Sequence, residues 1–278
     1  MTRLPWICTA LLVFGMTVAG PSPARAQDDD AAALRLAEPD FTLIALPTSL
    51  RLPPLKGAFR VTHRFTRPLN DDFGDVAGDL FGLDTGATIG LEYRFGVIPN
   101  GQIGFHRTSN KTIELFSQYR VLPQSRALVD VSAYFSIEGT NNFKDSYSPT
   151  AGAIISRTFG DFVAVYVEPM WVNNTNQLPK ALVDHNDTFM VGVGARLRVR
   201  PTVYVVAEAA PRPSGYKSGN TQGSFAIEKR AGGHSFQLNF SNSFGTTMAQ
   251  IARGGPVDVR ATGGSDWFLG FNISRKFF

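Results

Sequence analysis

From Lys56 to the end of the chain, apolar side chains return at every second position in about twelve short runs broken by Gly, Pro, Asn, Asp and Ser. Period two is the spacing of residues along one side of a β-strand, so the whole region reads as strands and turns. The clearest run sets Ala87, Ile89, Leu91, Tyr93 and Phe95 against Thr88, Gly90, Glu92 and Arg94. The others fall near residues 59–65, 101–108, 111–121, 127–137, 150–159, 162–172, 188–199, 202–210, 224–230, 235–241 and 266–278. Most are about 9 to 11 residues, the length a tilted strand needs to cross a bilayer. An even number of crossings returns the chain to the side from which it started.

The connections sort in the same sense. Membrane barrels of the bacterial outer surface have short periplasmic turns and long external loops. Here the even-numbered connections are short, as at Gly96 to Asn100, Gly160-Asp161 and Arg200-Pro201. The odd-numbered ones run over residues 66–84, 138–149, 173–187, 211–223 and 242–265, with only Ser109-Asn110 breaking the pattern. A soluble secreted sandwich also alternates apolar and polar residues. Its polar face would meet bulk water, whereas this one is rich in Gly, Ser, Thr and Arg, as expected of a narrow wet lumen. Aromatics such as Phe65, Tyr93, Phe95, Tyr119, Phe159, Trp171 and Trp267 cluster near run ends, which suits interfacial girdles. The expected fold is therefore all-β: a closed antiparallel up-and-down transmembrane β-barrel of about twelve strands over residues 56–278. The chain ends on Phe278, resembling the terminal aromatic that barrel-assembly machinery reads, although Trp267, Leu269, Phe271, Ile273 and Phe277 share the opposite face.

The N-terminus gives an address. Arg3, an apolar stretch from Leu4 to about Ala19 and the pair Ala24 and Ala26 make a secretory signal over residues 1–26, with cleavage expected near Ala26. The one cysteine, Cys8, leaves with it, so the mature chain has no disulfide or thiolate site. Losing Arg3 and Arg25 lowers the formal charge from +4 to +2, which together with export argues against a nucleic-acid partner. Residues 27–55 hold Asp28-Asp29-Asp30, an Ala run and the Pro-rich stretches Leu43-Ile44-Ala45-Leu46-Pro47 and Leu52-Pro53-Pro54-Leu55. Proline at that density excludes regular helix and central strand, and an irregular periplasmic lead-in is expected.

Several stretches resemble a family of uncharacterised bacterial outer-membrane β-barrel proteins, known as a domain of unknown function. They are Leu46-Pro47-Thr48 leading to Phe59-Arg60-Val61-Thr62-His63-Arg64-Phe65, then Phe81-Gly82-Leu83-Asp84 and Ser109-Asn110-Lys111-Thr112. Later ones are Gly233-His234-Ser235-Phe236-Gln237-Leu238 and Phe271-Asn272-Ile273-Ser274-Arg275. The resemblance implies a barrel and an outer-membrane location. It brings no catalytic residues.

Chemistry has little purchase. His234-Ser235 are adjacent and in a strand point to opposite faces, so they form no dyad, and no Gly-x-Ser-x-Gly elbow occurs. Asp71, Asp72, Asp75 and Asp79, and Asp184-His185-Asn186-Asp187, fit no calcium loop and read as solvated charge. No catalytic residue, metal or cofactor is expected. The inward phase is more informative. Arg60, Arg64, Arg94, Arg120, Arg196 and Arg198 share it with Glu92, Glu114, Glu168 and Glu208, and with Ser235, Gln237, Asn239 and Ser241. Crowded charges of both signs must pair, while a surplus of arginine makes a constriction that favours anions. His63 and Arg107 take the outward phase at the external rim, where contact with lipopolysaccharide phosphate is expected; Arg157 and Lys229 share that phase. The leading expectation is a monomeric narrow passive pore for small polar solutes with a mild anion bias. A lumen-filled structural or adhesion barrel with partner-binding loops, and an outer-membrane lipid hydrolase, are the alternatives.

Overall fold

Twelve strands alternate direction and each pairs with the next: β1 Gly57–Pro68, β2 Ala87–Ile98, β3 Gly101–Thr108, β4 Ile113–Leu122, β5 Asp130–Gly139, β6 Asp145–Phe159, β7 Val163–Val172, β8 Thr188–Arg200, β9 Val203–Ala210, β10 Gln222–Ala231, β11 His234–Ser241 and β12 Phe268–Phe277. These come from a computed structural model that describes residues 36–70, 73–82, 86–176, 178, 180–182, 186–256 and 266–277. The leader at residues 1–26, Asp71, Asp72, Asp184, His185 and Phe278 lie outside the described residues. β1 pairs antiparallel with β12, from Gly57 opposite Phe277 to Arg64 opposite Gly270, so the sheet closes on itself. A two-residue strand, Ser214–Gly215, adds to the start of β8.

Closure leaves no edge strand, which is the condition for a sheet to sit in hydrocarbon. Burial is inverted relative to a soluble protein. Ile103, Phe105, Leu115, Phe135, Ile227 and Leu238 are all exposed on the outside, while Arg60, Arg64, Glu92, Arg94, Glu168 and Arg196 are buried within. An apolar exterior around a charged interior is what a lipid-facing wall requires.

At one end the strands are joined by tight turns, apart from residues 123–129 between β4 and β5. Pro99-Asn100 and Gly232-Gly233 are two-residue connections, and Asn100 (φ 68°) and Gly232 (φ 58°) take the left-handed backbone such hairpins need. The other end carries the longer connections, the longest between β11 and β12. That loop folds inward as a short helix, Met248–Arg253, with Met248, Ala249, Ile251 and Ala252 buried. The sixth strand starts at Asp145, five residues ahead of the expected 150, because Pro149 reads as a strand break although Tyr147 ahead of it keeps the outward phase.

Candidate functional site in the barrel lumen

Residues 37–52, expected outside the barrel as a lead-in, are buried inside it. The chain enters at the short-turn end, where Tyr204 Oη donates to the Leu36 carbonyl (2.9 Å) and Lys276 Nζ to that of Pro39. It rises to mid-barrel, doubles back at Leu43-Ile44-Ala45-Leu46 and returns to β1. Thr42 bridges Pro47, and the Thr48 amide donates to the Phe41 carbonyl (2.9 Å). Prolines stop this hairpin from joining the sheet, so its amides and carbonyls look to the wall for partners.

The wall supplies them at two stations. Glu208 on β9 accepts from the Ile44 amide (2.9 Å), the Ala45 amide (2.9 Å) and the Leu46 amide (3.1 Å), and Gln222 Nε2 adds a fourth donor at 3.0 Å. Consecutive amides converging on one carboxylate form a backbone nest, a ready anion site. On the opposite side, the Ile44 carbonyl accepts from Asn272 Nδ2 (2.9 Å), Arg60 Nη1 (3.2 Å) and Arg64 Nη2 (3.5 Å). Gln237 Nε2 donates to the Leu43 carbonyl (2.7 Å) and Arg196 Nη2 to that of Thr42 (2.7 Å). Two inward glycines of β8 make room for the tip: a Cβ on Gly192 would lie 3.0 Å from Leu46 Cδ1, and one on Gly194 would overlap Leu43 Cδ1.

The helix Met248–Arg253 fills the lumen from the long-loop end. The Met248 amide donates to Glu114 (3.3 Å), Thr247 Oγ1 donates to Glu138, and Arg253 Nη1 pairs with Glu138 at 2.9 Å. Between helix and hairpin remains a gap of about 10 Å³, bordered by Ala45, Pro47, Thr246 and Met248. One water needs about 10–15 Å³, so hardly more than a single water fits between them. The helix and hairpin tip cover a wall that is not wet throughout. Ile154, Met170, Met190, Tyr204 and Val206 are buried inward residues of β6 to β9, while the polar face with Ser235, Gln237, Asn239 and Ser241 belongs to β11.

Of the ten expected lumenal charges, Arg60, Arg64, Glu92, Arg94, Glu114, Glu168, Arg196 and Glu208 are buried inside. Arg60 Nη2 pairs with Glu92 at 2.6 Å and Arg94 with the same carboxylate; Arg196 Nη2 pairs with Glu228 at 2.9 Å. Arg120 and Arg198 sit lower, at the short-turn end: Arg120 pairs with Asp130 (2.9 Å) and Arg198 Nε donates to the Pro201 carbonyl (3.2 Å). Glu138 and Glu228 are also buried inward and were missed, although the outward phase of Phe135, Ile137, Phe225 and Ile227 would have placed them. With them included, the charge is unevenly spread, and Glu114 and Glu138 add acid on β4 and β5. Arg60, Arg64 and Arg94 outnumber Glu92 on β1 and β2, while Glu168, Glu208 and Glu228 outnumber Arg196 on β7 to β10. Those two walls lie about half the ring apart in strand order.

On the outer surface, His63 stacks on Phe271 (4.8 Å between centroids), and Arg107 is exposed, donating to Asn142 Oδ1 at 3.0 Å. Arg67 pairs with Asp79 (3.1 Å). His234 stacks on Phe236, whereas Ser235 is buried inward, so the two diverge as neighbours in a strand must.

A family model covers residues 43–277, which takes in the hairpin tip and all twelve strands. The chain belongs to the membrane bound beta barrel domain family, DUF5777. Among solved structures, this DUF5777 barrel is similar to the NanC porin, with a TM-score of 0.52 at 6% identity, covering 80% of this chain and 99% of that one. It is also similar to an outer membrane channel from Pseudomonas putida F1 (TM-score 0.45, 11% identity, 82% and 97% covered). A third is outer membrane phospholipase A from Escherichia coli (TM-score 0.46, 11% identity, 87% and 98% covered). At such identity the likeness to NanC speaks to the fold alone. No curated protein sequence matches.

Proposed function

We propose that this DUF5777 barrel is an outer-membrane passive pore for small polar solutes, shut in this conformation by its own hairpin and loop helix. One observation carries the reading: the hairpin is held by discrete polar anchors, chiefly Glu208 and the Arg60–Arg64–Asn272 station, and not by continuous sheet. Such anchors can be exchanged for water. Elsewhere on the wall, Arg94 Nη1, Arg196 Nη1, Ser132 Oγ and both amide atoms of Asn239 lack a protein partner among the described residues. Buried polar groups of that kind suit a wall that water reaches.

In this reading the tight turns face the periplasm and the long loops the exterior, and the leader is removed near Ala26. N-terminal sequencing of the mature protein checks the cleavage. Selectivity is mildly anionic, set by Arg60, Arg64 and Arg94 and moderated by the acidic wall opposite. Outward His63 and Arg107 meet lipopolysaccharide phosphate; unchanged lipopolysaccharide association after replacing both with Leu would remove that part.

Planar-bilayer recording of the full mature chain tests the pore. Discrete openings with a reversal potential shifted toward the anion are expected. Zero conductance at every voltage, in a barrel that still resists unfolding in detergent, would overturn it. The gap of about 10 Å³ favours a second reading, a structural or adhesion barrel whose lumen stays filled. That reading predicts silence even after the Glu208 anchor is removed.

A further inference from the structure

The two stations of the hairpin tip lie on the two ends of one residue. Ile44 gives its amide to the Glu208 carboxylate (2.9 Å) and its carbonyl to Asn272 Nδ2, Arg60 Nη1 and Arg64 Nη2 (2.9, 3.2 and 3.5 Å). Its side chain is fully buried. Both stations are over-provided for a peptide unit. A neutral carbonyl oxygen has two lone pairs, yet three donors reach this one, two of them guanidinium groups. At the other station the Glu208 carboxylate meets only neutral amide donors, three of them on consecutive residues. Charge-assisted pairs are about twice as strong as neutral ones, so each station is better matched by a charged group than by the backbone that fills it.

We propose that the site held by Ile44 takes a free α-amino acid with an apolar side chain, in its zwitterionic form. The ammonium replaces the amides at Glu208, the carboxylate replaces the carbonyl at Arg60, Arg64 and Asn272, and the side chain takes the space of Ile44. The hairpin tip is then a tethered surrogate: it occupies the site until an amino acid displaces it. A molecule with a single charge fills one station and leaves the other short of a partner: Glu208 with only Gln222 Nε2, or Arg64 with only the His63 carbonyl and Asn272 Oδ1 while Arg60 keeps Glu92, which is costly. The transverse separation of basic and acidic walls selects the same class, since a zwitterion aligns across the lumen where a simple anion meets Glu168 and Glu208. This inference rests on the pore reading for its biological sense, though not for its test.

The test is deuterium exchange of the full mature chain in detergent, read by mass spectrometry over residues 36–52 during titration with isoleucine. Saturable acceleration at Ile44, Ala45 and Leu46 is expected. N-acetylisoleucine, which lacks the ammonium, and isoleucinamide, which lacks the carboxylate, should each need about ten- to a hundredfold higher concentration for the same effect, because one charge-assisted station is lost. No acceleration by isoleucine, or equal potency of the three probes, overturns the proposal. Bilayer conductance in plain potassium chloride is recorded separately. Acceleration without conductance keeps the site and removes the pore; conductance without acceleration keeps the pore and removes the site.

Discussion

Replacing Glu208 with glutamine removes a charge and one of two acceptor oxygens while keeping the shape of the side chain. Three tip amides at 2.9 to 3.1 Å then share a single neutral carbonyl, and the new amide nitrogen presents its own hydrogens to donors. A hydrogen bond to a charged group contributes about 1.5–3 kcal/mol against about 0.5–1.5 for a neutral one. Across three donors the gross loss is about 3–4 kcal/mol. Glu208 also sheds the cost of burying a charge, so a net weakening of the shut state of about 2 kcal/mol is reasonable. At about 1.4 kcal/mol per factor of ten, the shut-to-open ratio falls by about thirtyfold. Single-channel recording at fixed voltage measures this directly as open probability, and retained resistance to heat unfolding in detergent shows that the barrel is intact. An open probability within a factor of about two of the parent would refute the idea that this carboxylate holds the hairpin.

Other perturbations probe separate parts of the structure. Gly192→Val places branched carbons where a single Cβ already lies 3.0 Å from Leu46 Cδ1, so it should raise open probability; unchanged gating would show that Leu46 does not seat there. Arg253→Met strips Glu138 of its guanidinium partner at 2.9 Å, and with Arg253 partly exposed the expected loss is about 1–3 kcal/mol in an equilibrium urea titration of vesicle-reconstituted protein. Ile227→Arg puts a charge on the lipid-facing middle of β10 and should cost about 2–4 kcal/mol in the same titration, against almost nothing if that face met water.

The barrel was legible because its signal is local: every strand carries its own alternation, and phase alone put Arg60, Glu92, Glu168 and Glu208 inside. Where a proline interrupts the run, as Pro149 does after Tyr147, the signal faded although the backbone remained a strand. The hairpin was opaque for a different reason. Its prolines speak against regular structure, which is correct, but where an irregular segment goes depends on partners as distant as Glu208 and Asn272, separated from Ile44 by 164 and 228 positions. The inward fold of Met248–Arg253 likewise depends on Glu114 and Glu138, which nothing in the loop's own sequence announces. The apolar patch of Ile154, Met170 and Met190 shows alternation reaching its limit, since strands apolar on both faces lose their contrast.

Both limbs of the hairpin leave through the same mouth, near Tyr204 on one side and at the start of β1 on the other. Retraction therefore needs no unthreading and no parting of the wall. It also means that the two limbs can slide out side by side along the course they share, with the Met248–Arg253 helix standing between the tip and the other mouth.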